Sequence, residues 1–464
     1  MTSSSPDLDH LRSADLRGRL VLPGDADWDR ARTGWNLAID QRPAAVVEAA
    51  CVEDVQATVR AARAAGLRVA PQATGHGSEA LRALDGAVLL KTAALNDISV
   101  DAGAGFVRVG AGALAGDVAA AAGEHRLAPA LGLAPSVGVA GLTLGGGVGW
   151  LSRAHGLASN NVRALDVVLA SGEVRRVDAD TEPELFWALR GSGGRVAIVT
   201  ALELELHPVA DVSAGMLAWP VEAAADVVEQ FRRWTADAPE CLSAVFRYVS
   251  LPDLDVIPPP LRGRRIVSVV AAHLGTEADG VRTLAPLRAS GSTLVDTFGP
   301  IGAADLVRVA GDPEDPGPAR GDGFLVGDLT PELAARVVEL IDADALAPLS
   351  VLELRLLGGA LSRAPEGHGA LAKLDGRFSV FGGGPVFGPE MEAGNAQRLA
   401  MLRESLGPWA IEQELLNSAP VGVDPARAFD AASWTRLTAA RSTYDPDGLI
   451  LSHHPARDDL PSVA

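Results

Sequence analysis

Hydrophobic and polar positions alternate between two periods along the first 210 residues. Ala44 to Ala50 (AAVVEAA) is a short apolar run that predicts a strand, and Val55, Val59 and Ala62 then fall on one face of a helix predicted over 53–65. Gly66 stands where a helix C-terminal glycine belongs. Leu67 to Pro71, Ala87 to Leu90 and Phe106 to Gly110 predict further strands, and the Ala-rich stretch Leu114 to Arg126 a helix. Val162 to Ser171, the Ser171-Gly172 turn and Val174 to Val177 read as a hairpin. Thr181-Glu182-Pro183-Glu184 has capping-box spacing, with Thr181 as the cap of a short helix. Val196 to His207 alternates and ends at Pro208.

The middle of the chain changes character. Strand-like runs at 243–250, 265–274, 350–357 and 377–381 alternate with helical patterns at 221–236, 277–289, 331–341 and 389–406. That predicts an α+β lobe with a sheet on one side and helices on the other. Gly311 to Gly323 (GDPEDPGPARGDG) reads as a polar loop, and Pro425 to Thr443 as a helix before the turn Tyr444-Asp445-Pro446-Asp447-Gly448.

Composition narrows the class. The chain has 464 residues, 48% of them hydrophobic, so it can offset the entropy of ordering and is not a disordered chain. A net charge of −19 with no Lys/Arg cluster argues against nucleic-acid binding. Two cysteines, Cys51 and Cys241, exclude a disulfide scaffold and fit a reducing, cytoplasmic setting. Met1 to Asp7 does not read as a secretory signal, no apolar run is long enough to cross a membrane, and no metal-ligand cluster stands out. The length leads us to expect two or three lobes. There are only two tyrosines, Tyr248 and Tyr444.

Three stretches carry candidate chemistry. Ala73-Thr74-Gly75-His76-Gly77 follows a strand. It is either a backbone nest that admits a phosphate or an ordinary tight turn. Pro135 to Trp150 (PSVGVAGLTLGGGVGW) is dense in glycine, which implies close backbone approach or a packed turn. It is not a Walker loop, and it lacks the context of a nicotinamide-type fingerprint. Glu184 to Gly194 (ELFWALRGSGG) runs from a helix into glycines.

In this order, together with Trp28 to Pro43 (WDRARTGWNLAIDQRP), Arg153 to Asn161 (RAHGLASNN), Leu352 to Ala360 (LELRLLGGA) and the terminal YDPDG, these stretches resemble the flavin-linked oxidases of the vanillyl-alcohol oxidase and berberine-bridge-enzyme type. The resemblance covers residues 20–208 closely and 411–456 more loosely. It implies an α+β fold: a two-subdomain PCMH-type FAD-binding domain (1–210) completed by a C-terminal segment (411–464). A substrate lobe (211–410), an antiparallel sheet covered by helices, is inserted between them. It implies oxidation of a small organic substrate, such as a secondary metabolite, by hydride transfer to flavin N5, with O2 as acceptor. It also implies FAD linked covalently through His76 Nδ1 alone, because Leu133-Ala134-Pro135 offers no cysteine for a second link. By position, Ala73, Thr74, Gly75, Gly77, Pro135, Ser136, Val137, Gly138 and Gly141 would contact the pyrophosphate and ring. Gly145 and Gly146 belong to the same wall, Ile198 and Val199 to the adenine-side strand, and Asn417 and His453 to the C-terminal face.

The chain departs from the family pattern. Gln72 replaces an arginine, Leu415 the tyrosine that would be the obvious base, His453 an asparagine, and Arg195-Val196-Ala197-Ile198-Val199 the Asn-Phe-Gly-Val-Val strand. Tyr248 and His273 are the replacement candidates for proton transfer, each set against a core role. Glu353 and Arg355, two apart in a strand, face one way as an ion pair or a substrate clamp. Two alternatives stay open: a flavin-holding protein without net redox activity, and a same-fold dehydrogenase using another acceptor.

Overall fold

The computed structural model describes residues 8–81 and 84–455; the N-terminal stretch Met1 to Asp7 lies outside them. The fold is α+β and is built on three large sheets. The first has the order Arg19–Val21, Ala45–Glu48, Ala87–Lys91, Arg68–Gln72, with its last three strands parallel. The Val52–Ala64 helix covers it through Val55, Val59 and Ala62, all fully buried. Gly66 takes the left-handed φ of +67° expected at the end of that helix. The second sheet is antiparallel, in the order Ile98–Asp101, Phe106–Gly110, Ile198–Glu205, Val162–Val168, Val174–Asp178. The third is an eight-stranded antiparallel sheet spanning Val212 to Pro385.

The large sheet has two unlike faces. Phe246, Tyr248, Val267, Val269, Leu352, Leu354, Phe378 and Val380 pack with the Ala224–Ala236 and Pro331–Asp342 helices into one apolar core. The alternate residues point the other way. There Val245, Val270 and Ala272 meet Leu133, Trp150 and Leu151 of the glycine-rich segment. One side chain pins the lobe to the N-terminal units across this seam. Arg153, 5% exposed, donates from Nε to Leu242 O at 2.6 Å and from Nη2 to Ala238 O at 2.9 Å and Pro239 O at 3.1 Å. Its Nη1 reaches Leu357 O.

Several local expectations differ from the structure. Thr181 does not cap its helix. Asp178 Oδ1 takes the N–H groups of Asp180 and Thr181, and Glu182 enters the helix at φ +58° with no side-chain cap. The 311–323 loop ends early, because Ala319–Val326 is a strand paired with Phe378–Pro385; Gly321 and Gly323 leave no alternating pattern to read. Val212–Pro220, not expected at all, is a strand of the same sheet for a similar reason. Ile198–Glu205 is buried along most of its length rather than alternating, since it is the central strand of its sheet. The C-terminal helix is split into a short 3-10 turn at Pro425–Ala428 and the Ala431–Tyr444 helix.

Arg153→Met should cost at least about 3 kcal/mol, because several buried carbonyls would lose their donor at once. A urea titration should show the lower midpoint, and an unchanged midpoint would contradict the pinning role.

Candidate flavin site

The Ala73–Gly77 loop leaves the end of the Arg68–Gln72 strand and meets the second glycine loop edge to edge. Gly75 has φ +86°, and a Cβ there would stand 2.8 Å from the Cα of Gly34, so neither conformation nor space admits a side chain. Gly138 lies against Ala73 and Thr74, where a Cβ would sit 3.1 Å from the Ala73 methyl. The second loop is itself laid along the neighbouring chain: Ala115 N donates to Val137 O, Gly116 N to Pro135 O, and Val139 N to Ala113 O.

His76 bridges the two loops. Its Nε2 is 3.1 Å from Ser136 O, and a carbonyl only accepts, so Nε2 carries the proton and Nδ1 keeps its lone pair. Trp35 stacks on the imidazole with ring centroids 3.9 Å apart. Burial pushes His76 down to about 4, only partly opposed by the Ser136 hydrogen bond. The ring is therefore neutral at pH 7. Trp35 is itself held by Trp35 N donating to Thr74 O at 2.8 Å. Sequence reasoning singled out this segment but did not assign Trp35 to the histidine.

The C-terminal segment closes the site. Asn417 Oδ1 accepts from Gly147 N at 2.9 Å, and Nδ2 donates to Leu142 O at 3.1 Å. A Cβ on Gly145 would lie 2.5 Å from Asn417 Nδ2. Gly146, at φ +113°, sits beside Leu371 and Leu415. His453 Nε2 pairs with Gly77 O at 3.0 Å, and a Cβ on Gly77 would collide with that ring. Behind it, His454 Nε2 pairs with Leu416 O at 2.9 Å, and Arg195 donates to His454 O at 2.9 Å. Burial pushes His454 down to about 3. Ile198 and Val199 are placed differently: both side chains are buried in apolar clusters of the two N-terminal units, so only their backbone is available to a ligand.

The arrangement fits FAD. Among the described residues, the N–H groups of Thr74, Gly75, His76 and Gly77 donate to no protein acceptor. Buried hydroxyls of Ser78, Ser136, Thr143 and Ser192, on or beside the glycine segments, also lack protein partners. A Cβ on Gly141 would enter open space. Such a set of unpaired donors suits a pyrophosphate and a polyhydroxylated chain.

An FAD binding domain profile matches residues 43–178. Residues 43–178 thus match an FAD-binding domain, and the chain is similar to FAD-linked oxidases and oxidoreductases. It is 31% identical over 284 residues to (R)-6-hydroxynicotine oxidase of Paenarthrobacter nicotinovorans, across 61% of this chain and 60% of that protein. It is 23% identical over 450 residues to the FAD-linked oxidoreductase YvdP of Bacillus subtilis, across 95% and 98% of the two chains. Matches to the first four curated relatives span between 29% and 60% of those proteins' own length. In fold, the chain resembles 6-hydroxy-D-nicotine oxidase of Arthrobacter nicotinovorans (TM-score 0.84, 24% identity, 96% and 99% covered). It also resembles berberine bridge enzyme of Eschscholzia californica (TM-score 0.81, 19% identity, 96% and 98% covered).

The two residues expected to handle protons lie elsewhere. Tyr248 is buried on the helix-covered face of the large sheet, and burial pushes its phenol up. His273, 4% exposed, shares that face by alternation with Val269 and Ala271, and its Nε2 lies 3.5 Å from Cys241 Sγ. Neither points toward the glycine loops. Leu415 lies in an apolar cluster with Val148, Leu325 and Leu371, so no proton acceptor stands in its place.

On the opposite face, which meets the glycine-rich segment, the polar side chains form ion pairs. Arg247 Nη2 is 2.6 Å from Glu353 Oε1 and 3.1 Å from Asp312 Oδ1, and Arg355 Nη2 donates to Glu353 Oε2 at 3.3 Å. Glu353 is almost fully buried, which alone would raise its pKa, but Arg247 and Arg355 together hold it below the usual range. The Nε groups of Arg247 and Arg355 have no partner. Arg247 neighbours Tyr248 in sequence and was passed over; the period-2 alternation of AVFRYVS separates the two faces.

Asn417→Ala should lower the melting temperature and the FAD content of the purified protein, since it unpairs both Gly147 N and Leu142 O. Asn417→Asp, which keeps the acceptor, should fall between the two. Full occupancy in the alanine variant would argue against the clamp.

Proposed function

We propose that the protein oxidises a small organic molecule at a carbon bearing a hydroxyl or amine, bound between the glycine loops and the large sheet. FAD, held by the two glycine loops and the C-terminal segment, would supply a two-electron hydride acceptor, with O2 as the terminal acceptor. The observation that carries this reading is the charged Glu353 held between Arg247 and Arg355 on the sheet face that meets the glycine-rich segment. A buried carboxylate in that position accepts a hydrogen bond from a substrate O–H or N–H, and the unpaired Arg355 Nε orients an acceptor group beside it. The apolar wall of Val148, Leu371 and Leu415 excludes water. The relative named as an (R)-6-hydroxynicotine oxidase supports the reading without selecting a substrate.

We read His76 as the single point of covalent attachment. Its Nδ1 is unprotonated, its ring is fixed by Ser136 and Trp35, and the only cysteines, Cys51 and Cys241, lie outside both loops. The two free cysteines also support a cytoplasmic protein. Among the described residues, no helix is long and apolar enough to cross a membrane.

Acid-precipitated wild-type protein should keep its yellow colour in the pellet, and His76→Ala should release it; loss of all colour from the wild type would overturn the link. Attachment of FAD to apoprotein requires a neutral imidazole. His76 sits below its unfolded value, so it gains a proton only near pH 4. The attachment rate should be flat from pH 8 to about 5 and fall below that.

Glu353→Gln should reduce kcat/KM by about 10²-fold while FAD content stays the same. Anaerobic addition of a true substrate should bleach the flavin, and air should restore it with release of peroxide. Bleaching without peroxide would point to a dehydrogenase, and turnover without bleaching to a non-redox role.

A further inference from the structure

A second cleft, of about 290 Å³, opens between the Pro183–Leu189 helix, the Ala431–Tyr444 helix and the Gly367–His368 turn. It is lined by Phe186, Trp187, Arg190, His368 and Arg436 among others. None of these belongs to the two loops that face the flavin.

Arg190 is the unusual member. It is 6% exposed, and its guanidinium lies over the Phe186 ring, 4.0 Å from the centroid. Nε donates to Phe186 O at 3.3 Å and Nη2 to Gly367 O at 2.6 Å. A guanidinium carries five N–H groups, so three remain without a protein acceptor. No carboxylate among the described residues compensates its charge, and burial alone pushes it down to about 10. An isolated buried cation is costly unless something neutralises it.

Trp187 walls the same cleft with its ring, and the indole is 5% exposed. Arg436 covers the Trp187 ring at 3.9 Å, but its charge is already taken by Glu184 through contacts of 2.6 and 2.9 Å. The cleft therefore holds one net positive charge and spare guanidinium donors, in a volume suited to a small molecule.

We propose that this cleft is a binding site for a small oxyanion, a carboxylate or a phosphate, received by Arg190 between the Phe186 and Trp187 rings. The bound anion supplies the missing counter-charge and the missing acceptor together. The segment beneath it is coupled to the flavin wall: Arg190 leads into Gly191–Gly194, where Gly193 N donates to Leu144 O at 2.7 Å and Gly193 O accepts from His453 N at 3.0 Å.

The test is calorimetric titration of the flavin-loaded protein with inorganic phosphate and, separately, with benzoate, at constant ionic strength set by chloride. Saturable binding of either is expected. Arg190→Lys, which keeps the charge but loses the planar fork, should bind about tenfold more weakly. Binding of phosphate alone would identify phosphate esters as the ligand class, and of benzoate alone, carboxylates. The proposal is overturned if neither anion saturates below about 10 mM, or if Arg190→Lys, with its flavin spectrum intact, binds as the wild type does.

Discussion

Two backbone loops approach so closely that only small residues fit between them, and the rest of the site is arranged around that contact. Gly75 packs on Gly34, and Gly138 on Ala73. His76 crosses the same seam to Ser136 O. The loops come from different sheets, so this contact sets how the two N-terminal units meet. Free N–H groups and buried hydroxyls are left along it, and such groups are stable only when a polar ligand satisfies them. The cost of those unpaired groups is what makes the seam a cofactor site rather than a core.

The C-terminal segment acts from outside on the same contact. Asn417 ties Leu142 to Gly147, and His453 closes over Gly77. Both work through backbone groups of the glycine segments, which explains why glycine is required at Gly77 and Gly145: a side chain at either would displace its clamp. The lobe of the large sheet is fixed to this assembly by Arg153, whose guanidinium gathers carbonyls from separate turns of that lobe. The planar fork of arginine suits that task where lysine would not.

The large sheet shows how one alternation divides stability from chemistry. Phe246, Tyr248 and Leu354 hold helices on one face; Val245, Arg247, Glu353 and Arg355 face the glycine-rich segment on the other. Glu353 stays charged in a buried position because two guanidiniums offset the desolvation. Moving any strand by one residue would exchange the faces and place the ion pairs among the helices.

Much of this was legible from local pattern. The 3.6-residue spacing of Val55, Val59 and Ala62 and the closing Gly66 outlined the first helix, because each depends on neighbours a few residues away; the cofactor was implied only by the resemblance that the ordered glycine-rich loops carry. Glu353 and Arg355 were correctly paired from their spacing alone. The strands at Val212–Pro220 and Ala319–Val326 were not legible, since glycine-bearing strands lack alternation and form only against partners distant in the chain. Nor was the failure of Tyr248 and His273 as site residues. Periodicity says which residues share a face, but only the packed structure decides which face meets the helices and which meets the ligand, because that choice is made by burial against elements far away in sequence.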